Sequence, residues 1–173
     1  MPDTSSRISH RVNRRVLVHS ARTSVAAVVS LVVARALGLP EAYWATVTTL
    51  IIMQSTLGAA WTVSEQRLAG TAVGAVMAAL LTTYFGSNLM VFALGVFALG
   101  LICAALHLED AYRLASVTLA IVMLIARPEK AWIVAAHRFV EVAVGIAVGL
   151  ALTAVWPGDE PGASLPPTGS SPK

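Results

Sequence analysis

The sequence predicts an all-α membrane protein of six transmembrane helices, arranged as two inverted three-helix repeats. Three observations carry that expectation: apolar runs of near-bilayer length, aromatic residues at their ends, and a weak internal repeat. Of the 173 residues, 57% are hydrophobic and 12% are charged, against a charged share of about 25% in soluble domains. The charges gather between the apolar stretches rather than along helix faces, a pattern that fits lipid as the solvent.

The runs fall at 16–36, 43–60, 67–85, 89–106, 112–126 and 138–156, near the ~20 residues a helix needs to cross a bilayer. No period-2 alternation runs through them, so helices are expected rather than a barrel. The first run follows a basic segment, 1–15, with Arg7, Arg11, Arg14 and Arg15. With Ala34-Arg35-Ala36 behind it, this start has the outline of a signal peptide. Five further runs make an uncleaved helix the simpler reading. Gly38-Leu39-Pro40 precedes the second run, Gly86-Ser87-Asn88 the fourth, residues 107–110 the fifth and shortest, and Arg127-Pro128-Glu129-Lys130 the sixth. These segments are turn-prone or charged, and their brevity makes neighbouring helices antiparallel. Tyr43, Trp44, Trp61, Tyr84, Tyr112, Trp132 and Trp156 fall at or near the expected ends, where amphipathic rings favour the headgroup level. From Pro157 the tail, 157–173, is rich in Pro, Gly and Ser, which predicts disorder.

Six crossings put both termini on one side. That side carries Arg7, Arg11, Arg14, Arg15, Arg67, Arg113 and Lys173, and the other Arg35, Arg127, Lys130 and Arg138. The bias predicts cytoplasmic termini in a bacterial cytoplasmic membrane. It also accounts for the net charge of +3 without nucleic acid as a partner.

The repeat relates the second and third runs to the fifth and sixth. Glu41-Ala42-Tyr43 echoes Asp110-Ala111-Tyr112, Ala45-Thr46-Val47-Thr48 echoes Ala115-Ser116-Val117-Thr118, and Ile51-Ile52-Met53 echoes Ile121-Val122-Met123. Trp61 precedes Arg67 as Trp132 precedes Arg138, and Gly74 and Gly145 follow the two arginines at equal distance. A unit of three crossings is odd, so the second copy enters from the opposite face, as in many secondary transporters.

Several residues are candidates for function. Gly70 and Gly74, and Gly145 and Gly149, form GxxxG pairs along which another helix can approach closely. Packing within the chain and a contact between copies are both open. Arg67 and Arg138 stand at the expected entrances of the third and sixth helices, on opposite sides of the membrane if the repeat is inverted. There a guanidinium either attracts an anion or snorkels to headgroups. Arg22, with His19 one turn before it, is interior or interfacial depending on where the first helix begins. Glu141 lies three residues after Arg138, a spacing that permits an ion pair. A buried carboxylate there also has the chemistry to carry a proton. The second run holds Thr46, Thr48, Thr49, Gln54, Ser55 and Thr56, a polar set that either lines a path or bonds across helices. Thr48 and Gln54 join the arginines as candidates for substrate contact.

Enzyme chemistry is not expected. His10, His19, His107 and His137 are scattered, no phosphate-binding loop occurs, and no metal-ligand spacing or cofactor motif appears. Cys103 is the one cysteine and lies in an apolar run, which reads as a lipid-facing or packing residue.

The run Tyr43-Trp44-Ala45-Thr46-Val47-Thr48, then Arg67-Leu68-Ala69-Gly70-Thr71-Ala72-Val73-Gly74, Glu109-Asp110-Ala111-Tyr112-Arg113, and Arg138-Phe139-Val140-Glu141 together resemble the fusaric-acid-resistance and aromatic-acid-exporter family over roughly 14–156. The resemblance implies a six-helix unit that exports aromatic or other organic acid anions. It is also similar to the membrane part of dimeric plant malate channels, in which basic side chains attract anions in the pore. Typical bacterial members have two membrane units and large soluble domains. A single unit therefore implies a homodimer or higher homo-oligomer, or a separate partner, and the alternative is a non-transporting scaffold or subunit of a larger complex.

Overall fold

The computed structural model describes residues 4–53, 57–125 and 130–156. Among these the chain is all-helical: α1 Thr4–Ala36, α2 Tyr43–Met53, α3 Leu57–Phe85, α4 Leu89–Ala105, a 3-10 turn Glu109–Ala111, α5 Tyr112–Leu124 and α6 Ala131–Val155. Val16–Ala36, Gly58–Phe85 and Ala131–Val155 are long and apolar enough to cross a membrane, and α2, α4 and α5 are shorter apolar helices. Gln54, Arg127 and the tail from Pro157 lie outside the described residues.

Four boundaries differ clearly from the sequence expectation: α1 begins at Thr4, ahead of the apolar run, α2 ends at Met53, short of residue 60, and α3 and α6 begin earlier than their runs, which matters for the arginines. α3 begins at Leu57 and α6 at Ala131, so Arg67 stands nearly three turns and Arg138 about two turns inside its helix, not at the entrance. Polar residues that read as a loop continue the helix because their side chains bond within it. Ser64 Oγ donates to the Ala60 carbonyl at 2.7 Å, and Trp61 Nε1 donates to Glu65 Oε1 at 2.7 Å.

The interior is made by α3 against α5, α2 against α6, and α3 against α6; α1 covers α2 and α6, and α4 covers α5 and α3. The same burial pattern occurs in both halves. α2 buries Ala45, Thr48, Thr49, Ile52 and Met53, and α5 buries Ala115, Thr118, Leu119, Val122 and Met123, position for position. Leu99, Cys103, Leu119, Val122 and Met123 form one apolar cluster, so Cys103 is a packing residue. Ile52, Ala60, Val142 and Ile146 form another.

The glycines explain how the paired helices come so close. A Cβ on Gly74 would collide with the Ala115 carbonyl, and one on Gly145 with the Ala45 carbonyl and, at 2.6 Å, the Thr48 Cβ. Gly70 meets the Ala111 carbonyl at 2.6 Å and Gly149 the Ile52 Cβ at 3.1 Å. Both strips are therefore occupied within the chain, by α5 and by α2, and neither is available to a second copy. Small residues at such crossings allow backbone approach and dispersion contacts that lipid does not supply.

Of the aromatic residues at helix ends, Tyr43, Trp61, Tyr84, Trp132 and Trp156 are exposed. Trp44 and Tyr112 are half-buried and turn to other tasks; the Tyr112 ring lies against Gly100. Large apolar side chains of α1 and α4, including Val25, Val28, Val32, Leu94, Phe97 and Leu101, face outward, as expected of surfaces solvated by lipid.

Gly145→Val is expected to destabilise the purified protein by about 2 kcal/mol or more, since the backbone carbonyl in its way does not yield. Gly58→Ala, where nothing among the described residues lies within 4 Å of the added Cβ, is expected to be neutral or to stabilise by up to about 1 kcal/mol. Thermal unfolding in detergent distinguishes the two signs.

Candidate functional site

Polar groups in a greasy bundle need partners, and one region collects most of them. It surrounds the start of α2, which the turn after α1 delivers against α6. Gly38, at φ +70, makes the turn, and Leu39 N–H donates back to the Ala34 carbonyl at 3.1 Å to close the end of α1. A left-handed backbone at this point suits glycine because no Cβ opposes it. The chain then runs through Glu41 into α2.

Arg138 is 2% exposed and central to the cluster. Its Nη2 donates to Glu41 Oε2 at 2.8 Å, its Nη1 lies 3.2 Å from Glu141 Oε2, and its guanidinium carbon sits 4.2 Å from the centre of the Trp44 ring. Glu141, 1% exposed, uses its other oxygen to accept the Glu41 N–H at 3.0 Å. One guanidinium thus has two carboxylates at its edge and an aromatic face over its plane, an environment in which a buried charge is tolerated. The three-residue spacing of Arg138 and Glu141 does produce an ion pair.

Arg67 is also buried, at 7% exposure, but its setting differs. Its Nε donates to Thr48 Oγ1 at 3.1 Å, and the Thr48 hydroxyl donates to the Trp44 carbonyl at 2.9 Å. Among the described residues no carboxylate lies in ion-pair contact with it. The reason is visible in the equivalent positions of α3 and α6. Where α6 has Glu141 one turn after its arginine, α3 has Gly70, packed against the Ala111 carbonyl. Arg67 and Arg138 therefore flank one turn of α2, Trp44 to Thr48, instead of lying far apart on opposite sides. The expectation that they stand separately at two helix entrances is corrected by the longer α3 and α6.

Thr49 ties the same region to α1 and α6. Its hydroxyl lies 2.9 Å from Ser30 Oγ, 3.0 Å from the Ala45 carbonyl and 2.9 Å from the Gly145 carbonyl. Thr49 and Thr48 thus bond across helices, Thr48 by holding Arg67, whereas Thr46 Oγ1 is buried with no hydrogen bond among the described residues; Ser55 and Thr56 lie outside the described residues.

Arg22 sits at the other end of α2. It is 5% exposed, its Nη2 lies 4.0 Å from Met53 Sδ, and its Nε is buried with no hydrogen bond among the described residues. Arg22 therefore faces the bundle interior, while His19 is exposed. A cation near the end of α2 also suits the negative pole of that helix. Gln54, the next candidate along α2, lies outside the described residues.

Glu41 and Trp44 were not singled out from the sequence as site residues. The available signal was a buried arginine in need of countercharge, in a chain with few acidic residues outside its predicted loops.

The model of the family described as fusaric acid resistance protein-like matches residues 26–152, which contain the whole cluster. Among curated proteins, the uncharacterized transporter YdhK of Escherichia coli strain K12 is 29% identical over 157 residues, covering 85% of this chain and 23% of that protein. Its counterpart in Escherichia coli O157:H7 matches equally. The chain thus spans about a quarter of the length of these relatives. No solved structure matches it.

Glu141→Ala is expected to cost about 3 kcal/mol, because it takes one carboxylate from a buried guanidinium and the acceptor from the Glu41 N–H. Glu65→Ala, which removes an exposed bond to Trp61, is expected to cost less than about 1 kcal/mol. Equal unfolding midpoints for the two variants would contradict this ranking.

Proposed function

We propose that this chain, which belongs to the fusaric acid resistance protein-like family, is a six-helix membrane unit of a transporter for aromatic or other organic acid anions, with Arg67 as the group that attracts the anion. The observation that carries the reading is the difference between the two arginines. Arg138 is matched by Glu41 and Glu141, whereas Arg67 is buried with a hydroxyl partner and no carboxylate among the described residues. A guanidinium kept in an apolar bundle without countercharge is costly unless an anion arrives to complete it. The relatives described as transporters support the same reading.

The architecture we propose is an inverted repeat, with α1–α3 and α4–α6 as its copies. The matched buried faces of α2 and α5 and the paired packing of α3 on α5 and α6 on α2 support it. In such folds the substrate site lies where the copies meet, and Arg67 and Arg138 lie on α3 and α6, which pack together. Arg22 supplies a second cation at the far end of α2. The excess of arginine in the first part of α1, ahead of its apolar span from Val16, favours cytoplasmic termini in a bacterial cytoplasmic membrane. In this reading the unit works as a homo-oligomer.

Uptake of benzoate and succinate into vesicles containing the purified protein tests the proposal. Saturable flux is expected, with Arg67→Ala lowering it by about tenfold or more and Arg67→Lys, which keeps the charge, lowering it less. Near-normal flux in both variants would remove Arg67 from the mechanism. No flux from a folded, oligomeric protein would favour a scaffold or a subunit that needs a partner.

A further inference from the structure

The partners of Arg138 are not mounted alike. Glu141 stands on α6, is 1% exposed, and is held through its second oxygen by the Glu41 N–H. Trp44 belongs to the first turn of α2. Glu41 instead projects from the turn between α1 and α2, behind Gly38 at φ +70, and its side chain is 19% exposed while that of Arg138 is 2% exposed. Its side chain is therefore open on one side and faces the buried guanidinium on the other.

We propose that Glu41 is a tethered counter-ligand: its carboxylate holds the place on Arg138 that a substrate carboxylate takes when Glu41 swings out to water. The inference rests on the reading of Arg67 as the anion-attracting group and adds a competitor to that site. Trp44 lies over the guanidinium plane, Glu141 Oε2 lies 3.2 Å from Nη1 and Glu41 holds Nη2, so a carboxylate that replaces Glu41 binds at Nη2. A carboxylate seated there lies beside the turn of α2 that Arg67 reaches through Thr48. Exchanging one carboxylate for another leaves the charge of the buried cluster unchanged, which avoids bringing an uncompensated charge into the bundle. The site then selects carboxylates, whose two oxygens match a guanidinium edge, and the internal carboxylate sets the concentration at which they bind.

The test is equilibrium binding of benzoate and of succinate to the full chain in detergent, followed by calorimetry and by tryptophan fluorescence. Glu41→Gln keeps the shape and a hydrogen-bond acceptor but loses the competing charge. It is expected to bind either probe about tenfold more tightly than the parent. Glu41→Asp, with a shorter arm, is expected to tighten binding as well and serves if the glutamine variant does not fold. Folded Glu41 variants that bind both probes no more tightly than the parent, with Arg67→Ala still weakening binding, would overturn the role of Glu41 and leave Arg67 in place. No binding of either probe by any folded variant would overturn both.

Discussion

A guanidinium enclosed in an apolar helix bundle has to be matched by its surroundings, and that requirement organises the centre of this protein. Arg138 reaches across from α6 to the turn before α2 and fixes three things at once: the Glu41 carboxylate, the Trp44 ring and, through Glu141, the Glu41 backbone N–H. The start of α2 is thus anchored to α6 by charge-assisted bonds at a buried guanidinium. Everything that α2 positions, Thr48 and the arginine it holds included, follows from that anchorage.

The anchorage works only because the helices come close enough. Glycine at 145 lets the Ala45 carbonyl approach α6, and glycine at 74 does the same for the Ala115 carbonyl at α3. Close approach in turn decides which polar groups are shared. Thr49 lies within hydrogen-bond distance of the Gly145 carbonyl, a contact that a side chain at 145 would push away. Packing and polar satisfaction are therefore one constraint here. Neither survives at this crossing without the other, which is why a small residue and a hydroxyl face each other where two apolar side chains would otherwise suffice.

Much of this was legible in the sequence. The apolar runs gave all six helices, and the aligned residues of the second and fifth runs anticipated the matched buried faces of α2 and α5. The i,i+3 spacing of Arg138 and Glu141 gave their ion pair. What escaped was of two kinds, bonds within a helix and contacts over long range. Trp61, Glu65 and Arg67 look like a loop in one dimension, because hydropathy counts their polarity and not the bonds within the helix that satisfy it. That misplaced Arg67 at an entrance. Trp44 at a helix end has the look of an interfacial anchor, and only the fold reveals the cation beneath its ring. The Glu41 to Arg138 pair spans almost a hundred residues of chain, a separation over which spacing carries no information.

The comparison of equivalent positions goes one step further than either half alone. If the protein needed two structural ion pairs, a carboxylate at position 70 would mirror Glu141. Instead position 70 is glycine, and the space is filled by the Ala111 carbonyl. A backbone carbonyl there also offers no route to a substitute acid from the same helix turn. Arg67 thus has no carboxylate in ion-pair contact among the described residues, at a buried position where an unmatched charge is among the more expensive features a bundle can carry. For structure alone, an apolar residue in place of Arg67 would pack at lower cost. The asymmetry between Arg138, paired with two carboxylates, and Arg67, bonded to a threonine hydroxyl with no carboxylate in contact among the described residues, is thus the feature on which the proposed anion site rests.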